Sequence, residues 1–281
     1  MKKQFGWLAT ACLLLAGVGY AGPSMATAQD QANGITQPPA VLVIQREFLK
    51  PGKGGSVHEK SEQAFVQAMK QANEQTHYIA ANSMSGKSRA LFFIGYDSFA
   101  DWGKDNETMM KNPTLAQQFD SAMQADGELL TGYDSGVFTF VPDKSVSPGV
   151  NLGQVRYWEI AILKVRLGHD QDWDALAKMH DDIFGKSPDA HWAMFEKRFG
   201  SDSGSIYIAI SGLHSLAELD QHRAAARQAW SQLSDDRKKK MNDLEAVTLE
   251  SIESNLYSID PKMSYPRESW RAADPDFWGP K

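Results

Sequence analysis

Histidine 180 is the side chain whose sequence setting most invites chemistry. It shares a helical face with Trp173, Leu176, Ala177 and Phe184, where the comparable helix near the start of the chain has Ala64 or its neighbour. An imidazole among apolar residues could act as a catalytic group or a ligand, its second nitrogen held by an acceptor; the plainer reading is a partly buried histidine bonded to a carbonyl. His77 and His191 each precede an aromatic residue at a strand start, and such a pair could be acid/base groups, ligands or tolerated edge residues. His58 and Glu62 have the i, i+4 spacing of two ligands on one helical turn, with Glu59 beside them. No HExxH pattern completes that set, so it reads as an exposed charged face. His214 and His222 show no partner in sequence.

Aromatic residues form the other constellation. Tyr78, Trp102, Trp158, Trp192 and Tyr207 could line an apolar pocket for a planar or hydrophobic ligand, or simply fill the core. Phosphate-cradling glycine loops, nucleophile elbows and kinase signatures are missing.

Composition narrows the classes further. Residues 1–28 have the layout of a cleavable export signal: Lys2 and Lys3, an apolar stretch, then Ala26-Thr27-Ala28. The single cysteine, Cys12, falls inside it, so a mature chain would have no thiol for disulfides, nucleophilic catalysis or metal binding. Loss of Lys2 and Lys3 takes the basic count from 29 to 27 against 35 acidic residues, a net charge of 27 − 35 = −8. That balance argues against nucleic acid, and the one basic run, Arg237 to Lys240, reads as a solvated helix face. A secreted or periplasmic protein without stable membrane insertion is expected.

The elements that must position these residues repeat. VLVIQREFL (41–49) is a strand, broken by Lys50-Pro51-Gly52 and followed by a helix from Ser56, with Ser56 and Glu59 forming a capping box and Val57, Ala64, Phe65, Ala68, Met69 and Ala72 forming its apolar stripe. VRYWEIAILKVRL (155–167) and a helix from Asp170 repeat that order. Two hairpins follow, then helices capped by Ser98 and Ser215, further helices after Pro113 and Ser234, and closing strands at 136–141 and 255–259. Each copy reads β-α-β-β-α-β, the ferredoxin-like unit, whose sheet has one bare face to cover. The fold class is therefore α+β: tandem repeats at 41–143 and 155–260, a linker at 144–154, and two antiparallel sheets packed into a barrel-like architecture. The segment 261–281, with its prolines and Tyr265, Trp270, Phe277 and Trp278, is expected to be irregular and to pack across the barrel.

The strand ending in Leu49-Lys50-Pro51-Gly52-Lys53, the helix carrying Phe65, and the β-β-α continuation with Phe99 and Trp102 resemble the dimeric α+β barrel superfamily. That group includes antibiotic-biosynthesis-type monooxygenases, NIPSNAP-like proteins and chlorite-dismutase-like haem proteins. The resemblance implies a barrel closed between two ferredoxin-like units, here within one chain, with a homodimer possible. Its activities range from cofactor-free oxidation to haem chemistry, and a haem-binding relative would use a histidine such as His180. The expectation is a protein that binds a small hydrophobic ligand or partner in or near an inter-repeat cavity and needs no cofactor. The alternative is an oxidoreductase, cofactor-independent or haem-dependent.

Overall fold

The computed structural model describes residues 34–187 and 189–279; the export signal and Cys12 lie outside the described residues. Strand β1 (Val41–Leu49) ends at the Pro51-Gly52 corner, and helix α1 (Ser56–Ala72) starts within a few residues. Gly52 and Gly55 take φ of 75° and 64°, a region glycine enters without steric cost. Gly55, not Ser56, is the cap of α1, and no side chain caps it; Ser56 already lies inside the first turn. Glu59 is thereby released from the expected box and pairs with Lys262 at 2.9 Å.

The first half continues with β2 (Tyr78–Ser83), β3 (Arg89–Tyr96), α2 (Phe99–Met110), α3 (Pro113–Gly127) and β4 (Leu130–Phe140). The second has β5 (Tyr157–Val165), α4 (Asp170–Phe184), β6 (Ala193–Gly200), β7 (Ser205–Leu213), α5 (Ala217–Ser231), α6 (Asp235–Thr248) and β8 (Leu249–Tyr265). Ser98 and Ser234 cap α2 and α6, accepting from Asp101 N and Arg237 N. Ser215 does not cap α5: that helix opens from Leu216, already in helical conformation, without a side-chain cap.

All eight strands close into one antiparallel barrel, in the order β1-β3-β2-β8-β5-β7-β6-β4. Both halves have the ferredoxin-like order, β4-β1-β3-β2 and β6-β7-β5-β8, and the seams are β2 against β8 and β4 against β6. Strand β8 is far longer than the sequence suggests because its two edges use different stretches. Residues 249–258 pair with β5, and residues 257–265 pair with β2 of the other half. Arg46 forks onto Asp134 at 2.5 and 2.8 Å and reaches Asp202 of the second half at 3.0 Å.

Alternation sorts the side chains into two faces. Leu42 and Ile44 point inward to Ile79, Trp158, Ile160, Ile208 and Tyr257, while Val41 and Val43 face outward. The barrel interior is therefore a packed core and not a chamber between the halves. The C-terminal segment is more ordered than expected: it forms α7 (Glu268–Ala273) and α8 (Pro275–Trp278). Pro275 sits in the first turn of α8, where a missing N–H costs nothing, and Asp274 caps it by accepting from Phe277 N at 3.0 Å. Trp270 and Trp278 join the interior cluster.

Candidate functional site

Outside the barrel wall, each half has a layer between sheet and helices, and the two layers differ. In the second half it holds a cavity of about 1060 Å³, at the upper end of the ~300–1,000 Å³ of small-molecule sites. The outward positions Glu159, Ala161 and Leu163 of β5 form part of its floor, with Ala209 and Ser211 from β7. Helix α4 contributes Trp173, Leu176, Ala177, His180 and Phe184, and α5 contributes His222, Ala225 and Ala229. Arg223 and Arg237 also line it.

His180 sits between Phe184, 4.7 Å away by ring centroid, and Trp192, edge-on at 5.3 Å. Its ring is solvent-accessible through the cavity that it faces. Removal from bulk water pushes its pKa down to about 4, so it is a neutral imidazole at pH 7. Next to it, Asp181 is pushed up to about 6, first by burial and then by Asp182, against the pull of Lys144 and Lys178. On the far side, His191 lies 5.4 Å from His222, with its two nitrogens 2.9 Å from Asp189 O and 2.6 Å from Gly212 O.

The other side chains singled out from sequence are dispersed. Trp192 lines this cavity, and Tyr207 lies beneath α4 against Trp173 at 4.9 Å. Trp158 is inside the barrel beside Phe93, Trp102 packs over β1 with Tyr96, and Tyr78 is buried with Phe92 on the first half's outer face. His77 stacks on Tyr265 and bonds its carbonyl at 3.2 Å. His214, without an evident partner in sequence, pairs with Glu218 at 3.4 Å.

In the first half the same layer holds a polar cluster. His58 and Glu62 are 1% and 3% exposed, which overturns the expected solvated face. The buried row of α1 is His58, Glu62, Val66, Ala68 and Met69, while Val57 and Ala64 of the expected stripe are exposed. His58 Nε2 is hydrogen-bonded to Glu47 Oε2 at 2.9 Å and stands 3.7 Å from Glu62 Oε1 and 3.6 Å from Asp126 Oδ1. Glu47 comes from β1 on the face of Val41 and Val43, and Asp126 from the end of α3. Burial first, then mutual repulsion, raises the Glu62 pKa well above the carboxylate range, and burial also raises Glu47. Glu47 and Asp126 escaped the sequence reading; the one signal for Glu47 was its place on the apolar parity of β1.

No protein-family model matches the chain, and no curated protein matches its sequence. Solved structures do. An anthrone oxidase-like protein is 15% identical with a TM-score of 0.52, covering 83% of this chain and 98% of its own. A protein provisionally named a monooxygenase from Fusobacterium nucleatum subsp. nucleatum is 9% identical with a TM-score of 0.53, covering 80% and 94%. Chlorite dismutase from Candidatus Nitrospira defluvii, in complex with imidazole, is 12% identical with a TM-score of 0.48, covering 87% and 99%. At such identities the likeness to the first two shows the fold, an antiparallel closed α+β barrel, and nothing finer.

Proposed function

We propose that the protein binds a flat, largely apolar small molecule in the second half's cavity, with His180 as its principal polar contact. The carrying observation is a neutral imidazole without a hydrogen-bonding partner among the described residues, facing a space walled by Trp192, Phe184 and Leu176. Arg223 and Arg237 supply positive charge for an acidic substituent on the ligand. We place this activity outside the cytoplasm, on the strength of residues 1–28.

The same imidazole supports a second reading, an oxidoreductase, and two of the structural relatives are named for oxidase or monooxygenase chemistry. Without a cofactor, His180 would take a proton from an acidic carbon or hydroxyl of the substrate, dioxygen would accept the electrons of the resulting anion, and the apolar walls would exclude water. The donor set also fits haem: His180 would hold it and Phe184 and Trp192 would flank it. When bound, such a group supplies redox chemistry at iron.

Titration of the purified chain with haem and with an environment-sensitive apolar fluorophore separates these readings. A fluorophore signal weakened at least ~10-fold in His180→Ala supports the ligand site. A Soret shift lost in that variant supports haem, and the absence of both responses in the wild type overturns the proposal.

A further inference from the structure

The second half keeps open a layer that the first half fills with Glu47, His58, Glu62 and Asp126, drawn from β1, α1 and α3. One donor atom from each lies within 4.8 Å of all the others, and all four residues are buried. Three carboxyl groups surround one imidazole, and the shortest contact to its ring is from Glu47 Oε2, 2.9 Å from His58 Nε2. His58 Nδ1 is buried without a hydrogen-bonding partner among the described residues, and Glu62 Oε1 and Asp126 Oδ1 are buried with no donor other than a proton held between the two carboxyls. Tyr78, which feels the charges of Glu62 and Glu47, leaves its hydroxyl unpaired as well. A buried carboxylate is costly unless it is paired or coordinates a cation, and no lysine or arginine forms an ion pair with Glu47, Glu62 or Asp126 among the described residues.

We propose that these four side chains bind one divalent first-row transition cation, of the Mn²⁺, Fe²⁺ and Zn²⁺ class. Ligand bonds of about 2.0–2.2 Å place neighbouring donors around a tetrahedral or octahedral ion about 2.8–3.6 Å apart. The three carboxylate oxygens stand 2.9, 3.6 and 3.7 Å from His58 Nε2, so the side chains need only small movements to close on an ion. One imidazole with carboxylates and no thiolate suits borderline cations. Mg²⁺ retains several waters and Ca²⁺ takes six to eight oxygens, and a site this buried offers neither. The cation takes the place of the proton shared between His58 Nε2 and Glu47 Oε2, so binding releases protons. The site lies in the other half from the His180 cavity and stands independently of it.

The chain, stripped of metal, is dialysed separately against Mn²⁺, anaerobic Fe²⁺, Zn²⁺, Mg²⁺ and Ca²⁺, then assayed by elemental analysis and thermal unfolding. About one equivalent of a transition cation is expected, with Tm rising as its concentration rises. The isosteric pair Glu62→Gln and Asp126→Asn should weaken binding about 10–100-fold or more with the circular dichroism of the barrel unchanged. His180→Ala should retain the metal. X-ray absorption of the zinc-loaded wild type, which depends on no variant folding, should show one imidazole and oxygen neighbours at about 2.0–2.2 Å. Folded wild type that retains no cation, retention of Mg²⁺ or Ca²⁺ only, undiminished binding in the Gln/Asn variant, or a zinc shell with two or more imidazoles overturns the proposal.

Discussion

Trp278 donates its indole N–H to the carbonyl of Gly153 at 2.7 Å, fastening the end of the chain to the segment between the two halves. Trp270 lies 6.1 Å from Trp278, and both rings belong to the interior cluster. Arg156 strengthens the closure by pairing with Asp274 and covering the Phe277 ring at 3.9 Å. The terminal helices thus act as a stopper on one end of the barrel.

Trp278→Ala should therefore destabilise the whole barrel by about 3–5 kcal/mol, the usual loss for a large buried aromatic residue. Denaturant unfolding checks this, and a loss below about 1 kcal/mol would show that the stopper is merely laid on the surface.

His180 gives stability a pH dependence with a definite sign. Its folded pKa, about 4, lies below the ordinary 6.5, so the unfolded chain binds the extra proton between those values. The contribution is complete above about 6.5 and disappears as pH falls towards 4. Asp181 slopes oppositely: its pKa is raised to about 6, and its contribution disappears as pH rises through that value. Removing the imidazole in His180→Phe should thus make the variant gain stability relative to wild type as pH drops from 7 to 4. Tm differences measured across that range provide the check, and a constant difference would contradict the neutral, cavity-facing imidazole.

Filling the cavity should separate binding from folding. Ala225→Trp, on the α5 side of the space, should weaken binding of an apolar fluorophore at least ~10-fold while leaving Tm equal or higher. Fluorescence titration and thermal unfolding read the two effects separately.

Glu62→Leu tests the cost of the polar cluster. The offset between the halves, 191 − 77 = 114, carries 62 to 62 + 114 = 176, which is Leu176, a buried residue of α4. Metal-free protein carrying Glu62→Leu should be more stable than wild type by about 1–2 kcal/mol, since it no longer buries that carboxyl. Urea unfolding in the presence of a chelator measures it.

Much of the fold was legible because it is local. The Pro51-Gly52 corner, the Ser98 cap, the helix start after Ser234 and the β-branched strands are set within a few residues of chain, whereas Ser215 has the cap's residue type without the cap's backbone. Ser56 misled because the backbone of Gly55, whose conformation no capping pattern reveals, had already started the helix. The candidate sites were harder to read. His180 was visible from its helical face, but the cavity depends on how far α4, α5 and α6 stand off the sheet. Glu47 and Asp126 are 79 positions apart in sequence, 126 − 47, and only the packing of α3 against α1 unites them with His58. Helical periodicity treats charged residues as the outer side, and here the inner side carries them.

Closure of the ring within one polypeptide has a consequence for assembly. A strand at the rim of an open sheet is an invitation to a neighbouring molecule, and this barrel issues none. A second copy would have to dock on helices or loops, leaving the barrel's own hydrogen-bond ladder untouched. Neither half is self-sufficient, because separating them would strip β2 and β4 from their mates on β8 and β6 and leave raw backbone on both fragments. Loss of either half should therefore produce sticky, aggregating pieces rather than a smaller working protein.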